Sequence, residues 1–187
     1  MVTPSAVVSC LHDPVLHVAV SLGLTLLLGG SALHKLRDST RFQVVLSSYR
    51  LVPSKLLRFV ASVLPLIELI AALGALMSLW IPLWASLATG LLMLYAGVLA
   101  VSVRRGTAME DCGCHFGNQR QALSVELVWR NLLLALLAAN LLYPMIERTL
   151  GWFDLAITFF ALLTGAIFYL LANLLVATRT SQRDLLR

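Results

Sequence analysis

Positions 57–79 read LRFVASVLPLIELIAALGALMSL, an apolar run that decides the fold class. Crossing about 30 Å of hydrocarbon takes roughly 20 mostly apolar helical residues, so this run is long enough to span a bilayer. Four further runs share its length and character, at positions 15–33, 83–103, 128–146 and 153–177. The sequence therefore predicts an all-α polytopic transmembrane helical bundle of about five spans.

The overall composition also indicates a membrane protein. The 187 residues are 59% hydrophobic and 12% charged, with a mean hydropathy of +0.88, which lies outside the range of soluble globular domains. Lipid offers no partners for backbone N–H and C=O groups, so continuous apolar runs form helices. With no internal repeat and no low-complexity stretch, we predict one transmembrane domain over residues 1–187.

The first apolar run is expected to be retained in the mature protein. Nothing basic precedes it, and no small-residue cleavage site precedes the charged stretch at 34–37. Cys10 ends the sequence VVSC at positions 7–10, which lacks the preceding hydrophobic core of a lipoprotein signal. We therefore interpret Cys10 as an ordinary thiol.

The connection after the first span has a helical pattern. Phe42, Val45, Leu46 and Tyr49 recur at helical spacing between basic residues. This pattern predicts a short helix lying on the membrane surface, which Pro53 ends because proline disfavours the α conformation in the residue before it.

The basic residues predict the orientation, because loops rich in Lys and Arg stay in the cytoplasm. Of the 14 Lys and Arg residues, only Arg148 falls on the side of the N-terminus and of the second and fourth connections. The other side carries Lys35, Arg37, Arg41, Arg50, Lys55, Arg58, Arg104, Arg105, Arg120, Arg130, Arg179, Arg183 and Arg187. We expect a bacterial inner-membrane protein with a periplasmic N-terminus and a cytoplasmic C-terminus.

The net charge of +5 does not indicate a nucleic-acid partner. The basic residues flank spans and are not interleaved with aromatic residues in a recognisable module. Anionic lipid headgroups explain them better.

Cys112 and Cys114 are the leading candidates for chemistry. They lie in DCGCHFG at positions 111–117, within the polar loop predicted at 104–127. Gly113 permits the tight backbone that a bridge between them requires, and such a strained disulfide is labile, which suits exchange with a partner. His115 would lower the pKa of a neighbouring thiol, whereas Glu110 and Asp111 act in the opposite direction.

Two other interpretations of these cysteines stay open. With His115 they provide ligands suited to copper(I) or zinc, although a closed zinc site needs a fourth ligand and the usual spaced ligand pairs are absent. In the second interpretation, the cysteines are free thiols in a loop and have no functional role. We predict no resident metal and rank redox chemistry first.

Glu68 is the second unusual residue, because it places a carboxylate inside the second span. An ionised group there costs roughly 2.5–3.5 kcal/mol on insertion scales, so it needs a partner or a proton. Lys35 or Arg130 is expected to reach it. A structural ion pair and a proton-handling role both remain open for Glu68, and Arg130 is a supporting candidate for the site.

Five segments of the chain resemble the MauE family, which is related to DoxX-like membrane proteins with a four-helix core. They are ALHKLRD at 32–38, YRLVP at 49–53, LPLIEL at 64–69, CGC at 112–114 and WRN at 129–131. The resemblance implies an inner-membrane accessory protein that matures or exports the small (beta) subunit of periplasmic methylamine dehydrogenase. That subunit carries tryptophan tryptophylquinone and many disulfides.

The same resemblance implies a thioredoxin-like partner, MauD, with which Cys112 and Cys114 would exchange disulfides. The predicted orientation puts these cysteines in the cytoplasm, whereas the client's disulfides form in the periplasm. A relay of reducing equivalents across the bundle would reconcile the two, with a quinone as one carrier, although the sequence indicates no cofactor. The alternatives are a non-catalytic scaffold for the maturation machinery and a metal-binding transporter.

Overall fold

The computed structural model describes residues 12–48, 53–105, 125–146 and 148–185, and the regular structure in these ranges is entirely helical. The six α-helices within these ranges are α1 (Pro14–Arg37), α2 (Ser39–Ser48), α3 (Ser54–Met77), α4 (Ala85–Arg104), α5 (Val125–Asn140) and α6 (Trp152–Leu185). A short 3-10 turn, Pro82–Trp84, precedes α4. The all-α polytopic bundle predicted from the sequence is confirmed.

Helix α1 begins with a side-chain cap. The Asp13 carboxylate accepts a hydrogen bond from the backbone N–H of Val15, and Pro14 occupies the first helical position, where its missing N–H costs nothing. The 24 residues of α1 extend for about 36 Å, which exceeds the hydrocarbon thickness of a bilayer.

Small residues let the central helices approach closely. The main buried cluster consists of alanines and leucines from α1, α3, α4 and α5, together with Leu141 just after α5. A Cβ atom on Gly74 would lie 2.9 Å from the backbone oxygen of Trp84, so only glycine fits where α3 meets the start of α4. Because lipid is as apolar as leucine, such close packing is what holds transmembrane helices together.

Successive long helices run in opposite directions, which gives the bundle two ends. At one end, which we call the Asp13 end, Ser21 Oγ donates to Ala75 O and His17 Nε2 lies 3.1 Å from Tyr143 O. At the other, the Arg104 end, α1 and α4 stop and α3 and α5 start. The segment 106–124, which carries Cys112 and Cys114, therefore joins two helices at the Arg104 end.

Four helical segments in the described residues are long and apolar enough to cross a membrane: Pro14–Arg37, Ser54–Met77, Pro82–Arg104 and Trp152–Leu175. They correspond to four of the five predicted spans. The fifth prediction, 128–146, overlaps α5, which has 16 residues and ends at Asn140. Pro144 explains the early end, since helices usually stop at or before the residue that precedes a proline.

Helix α2 confirms the predicted short helix and adds a contact. Phe42 and Val45 are each only 8% exposed, because α2 packs against α3. Its apolar face therefore covers the bundle. Tyr49, also placed in this helix by the sequence pattern, lies outside the described residues, and Pro53 stands immediately before α3.

Helix α6 is the least packed of the long helices. Only 6% of its spanning segment is buried, and its main contact is with α1. It continues to Leu185, beyond the predicted boundary at 177, because no proline or glycine interrupts the polar residues that follow the apolar run. Most of its large apolar side chains consequently face outward.

Candidate functional site

The predicted site residues fall into two groups. Glu68 and Arg130 lie in described helices, on α3 and α5. Cys112, Cys114 and His115 lie outside the described residues, as does Cys10. The site that can be built from geometry is therefore the polar cluster around Glu68.

Glu68 is fully buried and accepts three hydrogen bonds on one oxygen. Its side chain is 0% exposed, and Oε1 accepts from Lys35 Nζ, from Tyr95 Oη and, at 3.5 Å, from Ser31 Oγ. The donors come from α1 and α4, so the carboxylate ties three helices together. Of the two cations that were expected to reach Glu68, Lys35 is the one that pairs with it.

The helical repeat explains how these groups converge. Ser31 and Lys35 are four residues apart on α1 and so share one face of that helix. The antiparallel packing of α1 on α3 brings this face opposite Glu68, just as it brings Ser21 opposite Ala75 further along. Tyr95 reaches the same point from α4.

Aromatic rings enclose the Lys35 ammonium group. Nζ lies 5.2 Å from the ring centroid of Phe42 and 5.2 Å from that of Tyr95. Both distances are within the range of cation–π attraction. Since Phe42 belongs to α2, the short helix covers the ion pair from the Arg104 end.

The second oxygen of Glu68 is in a different environment. Oε2 is buried and has no hydrogen-bond partner among the described residues. A buried ion pair is favourable only when further hydrogen bonds satisfy the remaining lone pairs. The pair with Lys35 therefore satisfies the hydrogen-bonding capacity of only one of the two carboxylate oxygens.

Arg130 takes part in a second polar contact beside the first. Its Nη1 donates to Asn173 Oδ1 at 2.7 Å, and its guanidinium carbon lies 5.4 Å from the ring centroid of Tyr169. Tyr169 and Asn173 are one turn apart on α6, so Arg130 contacts one face of that helix. Arg130 thus joins α5 to α6, and the contact to Glu68 that the sequence suggested falls to Lys35.

A small cavity lies between the two polar groups. It offers ≈ 20 Å³ of space for the centre of a water molecule. All five long helices contribute residues to its wall, and the polar ones are Ser31, Glu68, Tyr95, Arg130, Asn131 and Tyr169. Leucines from α1, α4 and α5 complete the lining.

A separate ionic cluster forms at the Asp13 end. Arg148 Nη2 contacts Asp13 Oδ1 at 3.2 Å and Asp154 Oδ1 at 2.9 Å. The Val15 backbone N–H and then Arg148 hold the pKa of Asp13 below its usual value, and hydrogen bonds to Asp154 and Asp13 raise that of Arg148. These contacts fix the turn between α5 and α6 to the start of α1.

Sequence reasoning missed two members of the cluster, Ser31 and Tyr95. A signal for Tyr95 exists, because a tyrosine in the middle of an apolar run needs a hydrogen-bond partner when it is buried. A signal for Ser31 is its position one turn before Lys35. Both signals become useful only once Glu68 is taken as the common acceptor.

Metal binding gains no support from the described helices. In the ranges that the structure describes, no three His, Cys, Asp or Glu side chains lie close enough together to hold a metal ion. Cys112, Cys114 and His115 are outside those ranges. The described cluster is thus an assembly of hydrogen bonds and one ion pair.

Comparison with known proteins identifies the family. A family profile described as "Methylamine utilisation protein MauE" matches residues 13–144, which span the Glu68 cluster and the segment with Cys112 and Cys114. The chain belongs to the MauE family. Its helices and its family together make it a multi-pass membrane protein of the methylamine utilisation system.

Curated relatives agree with this assignment. The chain is 40% identical over 181 residues to the methylamine utilization protein MauE of Methylorubrum extorquens AM1, covering 94% of this chain and 97% of the relative. MauE of Paracoccus denitrificans is 39% identical over 68% of this chain and 69% of its own length. MauE of Paracoccus versutus is 35% identical over 86% of each chain. No solved structure matches this MauE-family chain.

Proposed function

We propose that this protein is an inner-membrane accessory factor that helps to mature the methylamine dehydrogenase small subunit by thiol–disulfide exchange at Cys112 and Cys114. The exchange partner is a thioredoxin-like protein of the MauD type. The observation that carries the proposal is the family match over residues 13–144, which includes both cysteines.

The bundle supports this chemistry by the way it flanks the cysteine segment. Residues 106–124 connect α4 to α5, and both helix ends belong to the Arg104 end. The Glu68 cluster joins α1, α3 and α4 through hydrogen bonds to one carboxylate. The segment that carries the cysteine pair is therefore continuous in the chain with two helices of the bundle.

The exchange balances as two successive displacements. The thiolate of one cysteine attacks the partner's disulfide, forms a mixed disulfide and releases one partner sulfur as a thiolate. The second cysteine, as its thiolate, attacks the mixed disulfide, so that the Cys112–Cys114 bond forms and the partner leaves as a dithiol. The partner gains the two electrons that the pair loses and takes up two protons. The reverse sequence oxidises the partner.

The test is the redox state of Cys112 and Cys114 in cells, measured by acid trapping and alkylation with a mass tag. Cys10→Ala removes the third thiol and serves as the background. We expect a disulfide, or a mixture that shifts when the thioredoxin-like partner is deleted. Fully reduced thiols whatever the partner's state contradict the exchange.

A second arm separates exchange from scaffolding. If the cysteine pair exchanges disulfides, cells with the double variant Cys112→Ala and Cys114→Ala should produce no active methylamine dehydrogenase. Cells with Cys10→Ala should produce the wild-type amount. An active dehydrogenase in the double variant supports a docking role instead. Labelling intact cells with a membrane-impermeant thiol reagent then tests the side of the membrane. We propose that the Arg104 end is cytoplasmic because it is rich in basic residues, and that reducing equivalents are relayed from there across the bundle to the periplasm.

A further inference from the structure

Two of the residues that line the cavity, Glu68 and Arg130, each carry a buried polar atom without a partner. Glu68 Oε2 and Arg130 Nε are both buried, and neither has a hydrogen-bond partner among the described residues. Both side chains line the cavity. Leaving a buried polar group without a partner is costly, so each of these atoms favours an occupant.

The two atoms specify the chemistry of that occupant. An ionised carboxylate oxygen accepts a hydrogen bond, whereas the Nε–H of arginine donates one. The occupant must therefore donate on one side and accept on the other. The cavity wall and Lys35 together contain two cationic groups, Lys35 and Arg130, and one carboxylate, Glu68, so a neutral molecule is favoured over a further cation.

The cavity is large enough to hold a water molecule. A buried water needs space of roughly 10–15 Å³ for its centre and two to four polar partners. The cavity offers ≈ 20 Å³, and Tyr95, Asn131 and Tyr169 add polar groups to the wall. Water meets the requirements of size, charge and hydrogen bonding.

We propose that this cavity is a water-binding site inside the membrane domain. The bound water donates to Glu68 Oε2 and accepts from Arg130 Nε–H. It thereby completes a polar chain that runs from Lys35 through Glu68 and Arg130 to Asn173. This chain links α1 and α3 to α6, which otherwise has few buried contacts.

Radiolytic footprinting of the wild-type protein in detergent tests this site. X-ray pulses convert water into hydroxyl radicals where it stands, so a bound water oxidises the side chains that touch it. Leu28 and Leu92 line the cavity and are 2% and 1% exposed, whereas Leu24 and Leu91, at 3% and 5%, do not line it. We expect Leu28 and Leu92 to be oxidised severalfold faster than Leu24 and Leu91. Equal slow rates in the four leucines overturn the proposal.

A pair of matched variants adds a second test. Leu134 lines the cavity, whereas Leu136 is 69% exposed on the same helix. Leu134→Phe should fill the cavity and reduce oxidation of Leu28 and Leu92, and Leu136→Phe should not. Loss of the signal in both variants, or in neither, contradicts the site. If Leu134→Phe fails to fold, the wild-type comparison among the four leucines still decides.

Discussion

Two ionic clusters in this molecule each pair a basic side chain with carboxylates, but one is buried among the helices and the other is exposed. Lys35 and Glu68 form an ion pair within the spanning helices, with side chains that are 2% and 0% exposed. Arg148 pairs with Asp13 and Asp154 at the Asp13 end, where the Arg148 and Asp13 side chains are 41% and 38% exposed. The buried pair involves three helices and two aromatic rings. The exposed cluster joins the connection between α5 and α6 to the start of α1.

The difference in burial between the two clusters indicates where charged groups contribute most to the stability of this fold. Attraction between charges grows as the local dielectric constant falls, and so does the cost of leaving one charge alone. Lys35 and Glu68 are therefore expected to depend strongly on each other. The exposed cluster is screened by water and salt, so its members should be nearly independent.

Breaking the buried pair should have the largest effect. Glu68→Leu removes the acceptor of three hydrogen bonds and leaves the Lys35 ammonium group buried without a counter-charge. We expect the free energy of unfolding to fall by about 3–5 kcal/mol, the usual cost of breaking a buried ion pair. Titration with SDS in mixed micelles measures it.

Two controls sharpen this experiment. Lys35→Leu combined with Glu68→Leu should recover most of the loss, because an apolar pair replaces both charges. Lys55→Leu removes an exposed lysine from the same end and should leave unfolding unchanged. If the double variant is as unstable as Glu68→Leu alone, the pair is not the source of the effect.

The contact between Arg130 and Asn173 should have an intermediate effect. Arg130→Met removes a charged hydrogen bond and the contact with the Tyr169 ring while keeping an apolar side chain. Hydrogen bonds to charged groups contribute about 1.5–3 kcal/mol, and we expect a loss of that size in the same assay.

A double-mutant cycle assigns that loss to the pair. In an Asn173→Leu background, Arg130→Met should cost clearly less than in the wild type. Arg105→Met, at an exposed position, provides the matched control. Equal losses in both backgrounds would mean that Arg130 acts elsewhere.

Much of the helical architecture could be predicted because apolar length alone specifies a span. Positions 57–79 and the helix Ser54–Met77 agree closely. The prediction was less accurate where hydropathy and backbone geometry disagree. The apolar run continues to Ile146, but Pro144 ends the helix at Asn140, and α6 continues into polar sequence that hydropathy does not include.

The buried site could be predicted only in part. Glu68 is conspicuous because a carboxylate in a span is costly, and Lys35 was one of two cations expected to reach it. Choosing between Lys35 and Arg130 needed the packing of α1 on α3. The hydroxyl groups of Ser31 and Tyr95 are common side chains whose role depends on that packing, and Cys112 and Cys114 remain a sequence-based prediction.

The exposed cluster should show the smallest effect and a dependence on pH. The pKa of Asp13 is held below 3.8 in the folded protein, so its charge contributes stability above that pH and loses the contribution as pH falls through the lower folded value. Asp13→Asn keeps a good helix cap and removes only the charge. At neutral pH and low salt it should unfold slightly more easily than the wild type, and the difference should vanish at high salt and in acid, because screening and protonation each remove the contact with Arg148. A deficit as large as that of Arg130→Met, or one that survives high salt, would mean that this cluster behaves like the buried pair.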